Sequence, residues 1–156
     1  LRIVGNLPYN VSTPLLFHVA SFADRLREAV FMLQKEVVDR MVAEPDTADY
    51  GRLSGMLQAR FAMDRLLAVP PGAFPPPPKV DSAVVRMIPL GADRLRAADE
   101  ARFERVVRAA FAQRRKTLRN AVRGLVDDAG FARAGVDPQR RGETLSLAEF
   151  VALSDA

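Results

Sequence analysis

The feature that most constrains the fold of this chain is a change of periodicity near residue 90. Up to Pro89, short apolar runs alternate with stretches of helical spacing, and beyond Gly91 only the helical spacing remains. Residues 1–5, 29–33, 66–69 and 82–88 read as strands, being short, apolar or β-branched and bounded by turn formers. Between the first two, Leu15, Leu16, Val19, Phe22, Ala23 and Leu26 share one helical face. Thr13 is the expected cap of that helix and Pro14 its first residue, where a missing N–H costs nothing. Residues 35–42 and 53–62 read as two further helices, with polar loop over 43–50. Strands separated by helices imply a parallel sheet, and the last two strands, with no helix between them, read as a hairpin.

Downstream, Phe103, Val106, Val107, Ala110 and Phe111 repeat at i, i+3, i+4, i+7 and i+8, as do Leu118, Ala121, Val122, Leu125 and Val126. Two amphipathic helices follow from that spacing. Asp137-Pro138 opens a short helix or turn, and Ser146-Leu147-Ala148-Glu149 is a capping box for a last helix. The fold expected is α/β plus α, divided into domains 1–90 and 91–156.

Several function classes drop out on composition. With no cysteine and one histidine, His18, the chain has no thiolate zinc site, no disulfide and no His-based metal cluster. No apolar run approaches the ~20 residues that span a bilayer. A cytoplasmic location without membrane or metal is expected.

Charge is informative by position. Residues 1–89 hold 10 basic and 9 acidic side chains, whereas residues 102–123 hold eight basic ones against Glu104 alone. A solvated helix face would interleave Asp and Glu, so this density points to phosphate backbones. Within it, Arg115, Arg119 and Arg123 fall at i, i+4 and i+8, the spacing of one helical stripe, with Arg114 and Lys116 to either side. Such a stripe positions RNA more than it reads sequence.

The chemistry concentrates in Asn6-Leu7-Pro8-Tyr9, which follows the first strand. An adenine N6 lone pair is delocalised into the ring, so a methyl transfer to it gains from two acceptors that hold the amine hydrogens and turn the lone pair outward. The Asn6 carboxamide and a carbonyl of Leu7 or Pro8 supply such acceptors, and Pro8 stiffens their turn. Tyr9 offers a ring to stack on the base and a π face for developing positive charge. Alone, the tetrapeptide also reads as a strand-to-helix turn with a packed tyrosine. Phe74, at the head of Pro75-Pro76-Pro77-Pro78-Lys79, is a second ring presented by a stiff polyproline segment. A base flipped out of its stack is held between two such groups, and Lys79 is placed to touch a phosphate. Glu36 and Asp39 read as ordinary first-turn carboxylates, and Tyr50-Gly51-Arg52 as a helix cap.

Taken together, Asn6 to Asn10, Gln34 to Val37, Tyr50 to Ser54, Phe74 to Ser82, Gln113 to Asn120 and Glu143 to Phe150 resemble the KsgA family of ribosomal RNA adenine dimethyltransferases. The resemblance implies the C-terminal half of a Rossmann-like sheet that uses S-adenosyl-L-methionine, followed by a small all-helical RNA-binding domain. It implies dimethylation at N6 of two adjacent adenines near the 3′ end of small-subunit rRNA, with the 30S-type precursor as partner and a role in subunit maturation. By position, Asn6 would touch cofactor and target amine, Leu7 or Pro8 would offer the carbonyl, and Tyr9 with Phe74 would stack the adenine. The family's glycine-rich cofactor loop would fall upstream of Leu1. The chain is therefore expected to be a fragment that binds the cofactor poorly, does not turn over and self-associates through an open sheet edge, the full-length protein being monomeric. The alternative class is a non-catalytic rRNA-binding assembly factor.

Overall fold

Four strands, β1 (Arg2–Asn6), β2 (Glu28–Gln34), β3 (Phe61–Val69) and β4 (Ser82–Pro89), make one sheet in the order β1-β2-β4-β3. The computed structural model describes residues 1–70, 80–91 and 96–156. β1 and β2 are parallel, and β4 lies antiparallel to both β2 and β3. The three strands that follow helices or open the chain thus run one way, and the expected β3–β4 hairpin inserts its return strand between β2 and β3. Helix α1 (Ser12–Ser21) connects β1 to β2, and α2 (Lys35–Met41) follows β2 directly.

Alternation on the central strands explains which face is covered. Ala29, Phe31 and Leu33 of β2 and Ala83, Val85 and Met87 of β4 are buried. Leu16 and Val19 of α1 and Val38 and Met41 of α2 are buried as well, and α2 packs on β2 and β4. The opposite face is half-exposed and carries polar ties: Arg86 Nε and Nη2 donate to Glu28 at 3.2 and 3.0 Å. β1 has one edge unpaired among the described residues, where Val4 is 80% exposed. β3 bears a bulge between Arg65 and Leu67, beside exposed Leu66.

The helices are α3 (Arg52–Gln58), α4 (Glu100–Ala112), α5 (Leu118–Ala121), α6 (Asp128–Ala134) and α7 (Leu147–Asp155). Backbone proximity groups the chain into two compact units, Leu1–Ala43 with Arg60–Asp93, and Glu44–Ala59 with Arg94–Ala156. The segment 44–59 therefore packs with the later helices, although it lies well before residue 90. Its anchor is Tyr50, 1% exposed, whose hydroxyl donates to the Leu145 carbonyl at 2.8 Å. Its ring meets Phe111 edge-on at 5.7 Å, and Phe111 in turn meets Phe150 at 5.6 Å. α4 supplies the apolar stripe Phe103, Val106, Val107 and Ala110, all buried. Gly142 lies so close to α4 that a Cβ there would stand 3.0 Å from the Ala110 carbonyl oxygen.

Local readings shift in three places. Thr13 is inside α1, whose cap position is Val11; a single 3-10 turn over Tyr9–Val11 feeds the helix, and Pro14 still sits among residues whose N–H groups need no intrahelical partner. The helix expected over 53–62 stops at Gln58, because buried Phe61 begins β3 opposite Pro89. The helix expected around Leu118–Val126 survives only as α5, since Gly124 adopts φ +86° and turns the chain. Leu118, Val122 and Val126 are nonetheless buried as that spacing required. α6 follows this turn, capped by Asp127, whose Oδ1 accepts the Gly130 N–H at 2.8 Å, and Asp137-Pro138 forms a turn.

Candidate active site and nucleic-acid interface

In the first unit, the C-terminal end of β1 meets the C-terminal end of β2, with Asn6 opposite Met32. Ser82, the first residue of β4, pairs with Gln34 of β2 and with Val69 at the end of β3. Asn6, Gln34, Val69 and Ser82 thus share one edge of the sheet, the edge at which open α/β sheets bind ligands.

The tetrapeptide is held there as a rigid bracket. Leu7 is buried and its N–H donates to the Met32 carbonyl at 3.1 Å, extending the β1–β2 ladder one step past the strand. Pro8 adopts φ −59° and ψ 135°, an extended turn that leads into the Tyr9–Val11 turn. The Pro8 carbonyl accepts the Val11 N–H at 3.2 Å, and the Tyr9 carbonyl accepts the Ser12 hydroxyl at 3.2 Å. Asn6 is exposed and Tyr9 half-buried. The Tyr9 hydroxyl and the Ser82 hydroxyl are hydrogen-bonded at 2.6 Å. Phe74 and Lys79 lie outside the described residues.

Nearby on the same unit, Gln34, Lys35, Glu36, Asp39, Val80 and Asp81 line a hollow of about 280 Å³. Asp39 is more than a first-turn carboxylate: it accepts from Lys35 Nζ at 2.7 Å and pairs with Arg65 of β3. The Lys35 N–H donates to the Asp81 carbonyl at 2.8 Å, joining α2 to the approach of β4. His18 is exposed on α1, and its ring meets the Phe22 ring edge-on at 5.5 Å. Among the described residues no group of His, Cys, Asp and Glu is arranged to hold a metal. No helix of the described residues is long and apolar enough to cross a membrane.

In the second unit, the basic segment is exposed but not a helical stripe. Residues 113–117 form a turn after α4, closed by the Lys116 N–H donating to the Gln113 carbonyl at 3.0 Å. Arg115 therefore lies on this turn, while Arg119 is on α5 and Arg123 in the turn beyond it. The i, i+4, i+8 geometry is lost because the backbone is not helical across 113–117. Arg114 donates to the Tyr50 carbonyl and stands over the Phe111 ring at 6.0 Å, so part of its guanidinium is structural. Arg119 pairs with Asp128 at 2.9 Å, and Arg123 donates to the Asn120 side chain at 2.8 Å. Arg115 and Lys116 are exposed at the tip. Arg102, Arg119, Arg123 and Arg133 line an open hollow of about 480 Å³ together with Asp127 and Asp128. Arg102 is spent on the fold, donating to the Ser154 and Leu125 carbonyls at 2.8 and 2.6 Å.

Two groups outside the expected set position these parts. Ser82 is a buried polar residue at the head of an apolar strand; the polar pair Asp81-Ser82 before Ala83-Val84-Val85 was the available signal. Arg140 braces the basic turn: its carbonyl accepts the Leu118 N–H at 2.7 Å, and its guanidinium binds Glu149 and the Thr144 carbonyl. The hydrogen bond from Arg140 holds the Glu149 carboxyl below its ordinary range against the opposing effect of burial. Arg140 is held correspondingly high by that same bond. The Tyr50 phenol is pushed up to about 12, first by burial and then by the charge of Glu149.

Residues 1–155 match the family model described as ribosomal RNA adenine dimethylase. The chain is similar to ribosomal RNA small subunit methyltransferase A of Laribacter hongkongensis, at 66% identity over 99% of this chain and 59% of that protein. It is likewise similar to the protein of that name from Aromatoleum aromaticum, at 64% identity over 99% of this chain and 58% of the relative. The chain thus spans somewhat under three fifths of the length of these curated relatives. In fold it resembles a dimethyladenosine transferase from Plasmodium falciparum, with TM-score 0.80 and 24% identity over 97% of this chain and 64% of that one. It also resembles the 23S rRNA methyltransferase ErmE, with TM-score 0.69 and 23% identity over 99% of this chain and 64% of that one.

Proposed function

Because the chain belongs to the ribosomal RNA adenine dimethylase family, we propose that it carries the methyl-acceptor site and the RNA-docking surface of an enzyme that dimethylates N6 of two adjacent adenines near the 3′ end of small-subunit rRNA. The observation that supports this most is the bracket at the end of β1. Two backbone bonds and a proline fix Leu7 to Tyr9, and the Asn6 carboxamide stays exposed beside a half-buried ring.

In this reading the Asn6 side-chain oxygen and the Leu7 or Pro8 carbonyl accept the two amine hydrogens and aim the lone pair. Preorganised acceptors of this kind lose nothing to reorganisation as charge develops. Tyr9 stacks on the extruded adenine from one side, and Phe74 supplies the second ring on the sequence reading. The exposed carboxamide at the end of a parallel strand fits one contact to S-adenosyl-L-methionine, which when bound supplies the electrophilic methyl group. Arg115 and Lys116, at the tip of an exposed turn, hold the phosphate backbone, with Arg114, Arg119 and Arg123 behind them. The partner is the rRNA within a 30S-type precursor, and the location is cytoplasmic.

The test is methylation of precursor subunits by the natural-length protein carrying this chain. Tyr9→Ala is expected to lower the rate at least a hundredfold while RNA binding changes by less than threefold. An unchanged rate removes the base-stacking reading. Binding with no methylation by the wild type, seen as unobstructed primer extension across the 3′ end, would assign the chain to the assembly-factor class instead.

A further inference from the structure

We propose that Ser82 is a positioning residue for the proposed reaction: its hydroxyl anchors Tyr9 and so sets the plane of the ring against which the adenine rests. This rests on the function proposed above and names a residue that acts through Tyr9 and not on the base.

Tyrosine has two soft side-chain torsions, and the broad second one lets an untethered ring rock. Here both ends of the residue are pinned. At the backbone, the Ser12 hydroxyl donates to the Tyr9 carbonyl at 3.2 Å, and the preceding Pro8 has its φ fixed. At the far end, the phenol oxygen meets Ser82 Oγ at 2.6 Å, across 73 residues of sequence. The anchor is itself immobile: Ser82 is 0% exposed and is paired in register with both Gln34 and Val69. A hydroxyl at this depth needs a partner, and the tyrosine supplies it.

The placement also explains why Ser82 is fully buried although it shares the β4 face of half-buried Val84 and exposed Arg86, opposite the buried Ala83, Val85 and Met87. Of the four polar residues buried among those described, two are bonded to Tyr9: Ser12 to its carbonyl and Ser82 to its ring hydroxyl. A ring held to a fixed plane keeps the adenine N6 within the near-attack geometry, and small angular errors at such a point are expensive in rate. The ring's area and its stacking energy do not depend on the anchor. Loss of the anchor is therefore expected to lower kcat and leave the KM for RNA nearly unchanged.

The experiment is a double-mutant cycle in the natural-length protein, with precursor subunits as substrate and S-adenosyl-L-methionine saturating. Ser82→Ala and Tyr9→Phe each remove one side of the same bond, and each is expected to reduce kcat about fivefold to tenfold, the worth of one such hydrogen bond. The double variant is expected to match the single ones, since the bond can be lost only once. KM for RNA should move by less than twofold in all three. Tyr9→Phe keeps the ring and is half-buried, so it reports even if Ser82→Ala folds poorly. Additive losses, or wild-type kcat in Tyr9→Phe, would overturn the proposal. If Tyr9→Ala abolishes methylation while Tyr9→Phe and Ser82→Ala do not affect it, the function stands and this inference alone falls. If Tyr9→Ala is also silent, the function reading falls with it.

Discussion

Replacing Tyr50 with phenylalanine should destabilise the protein at neutral pH and stabilise it in strong alkali. The ring stays, so its contacts with Phe111 remain, and only the hydroxyl bond to the Leu145 carbonyl is lost. Leaving that buried acceptor unsatisfied costs about 1–2 kcal/mol. The alkaline half comes from the phenol, which titrates near 12 in the folded chain against an ordinary 10.0. Below pH 10 folded and unfolded states are both protonated, and the group adds nothing to the pH dependence. Between pH 10 and 12 the unfolded chain releases its proton and the folded one does not, so stability falls as pH rises. Two units at about 1.4 kcal/mol each give a total loss near 3 kcal/mol, roughly half of it reached by pH 11. The phenylalanine variant escapes this loss, and the two stability curves should cross close to pH 11. Paired urea titrations of wild type and Tyr50→Phe from pH 8 to pH 12 measure the difference directly, because all other titrating groups are shared. A gap that stays constant over that range would refute the argument from burial.

Three further outcomes follow from the second unit. Arg115→Glu with Lys116→Glu should weaken RNA binding and reduce the slope of log affinity against log salt by about 1.5, read by filter binding at several salt concentrations; an unchanged slope would separate this turn from the phosphates. Gly124→Ala should lower stability by about 1 kcal/mol in thermal melts, because at φ +86° a Cβ is strained even though it would meet nothing within 4 Å. Glu149→Gln should lower the melting temperature at pH 7 and flatten its fall in acid: the carboxyl is held low by Arg140, so its contribution is present above its ordinary range and is lost as pH drops through the folded value.

What was legible in the sequence was whatever local periodicity or local sterics decide. The four strands, the hairpin and the capping box at Ser146, whose hydroxyl accepts the Glu149 N–H at 3.2 Å, all depend on near neighbours. The bracket from Asn6 to Tyr9 was legible for the same reason, since Pro8 and the end of a strand define it. The arginine stripe misled because spacing predicts a face only where the backbone is helical. Nothing within 113–117 forbids a helix; the turn is imposed by distant anchors, the Leu118 and Arg119 N–H groups bonding to the Arg140 and Pro138 carbonyls. Ser82 escaped notice because its meaning lies in a partner 73 residues away. The placement of 44–59 was hidden likewise, as Tyr50 finds its partners at Phe111 and Leu145.

That early segment has a consequence for how the protein can be divided. The chain passes from one unit to the other after Ala43, returns after Ala59 and leaves again after Asp93. No single proteolytic nick can release the helical portion intact, and a truncation starting at residue 96 would discard α3 and strip the aromatic cluster of its first member. During translation, residues 44–59 emerge before α4, so the packing of α3 against that helix must await the synthesis of residues 100–112.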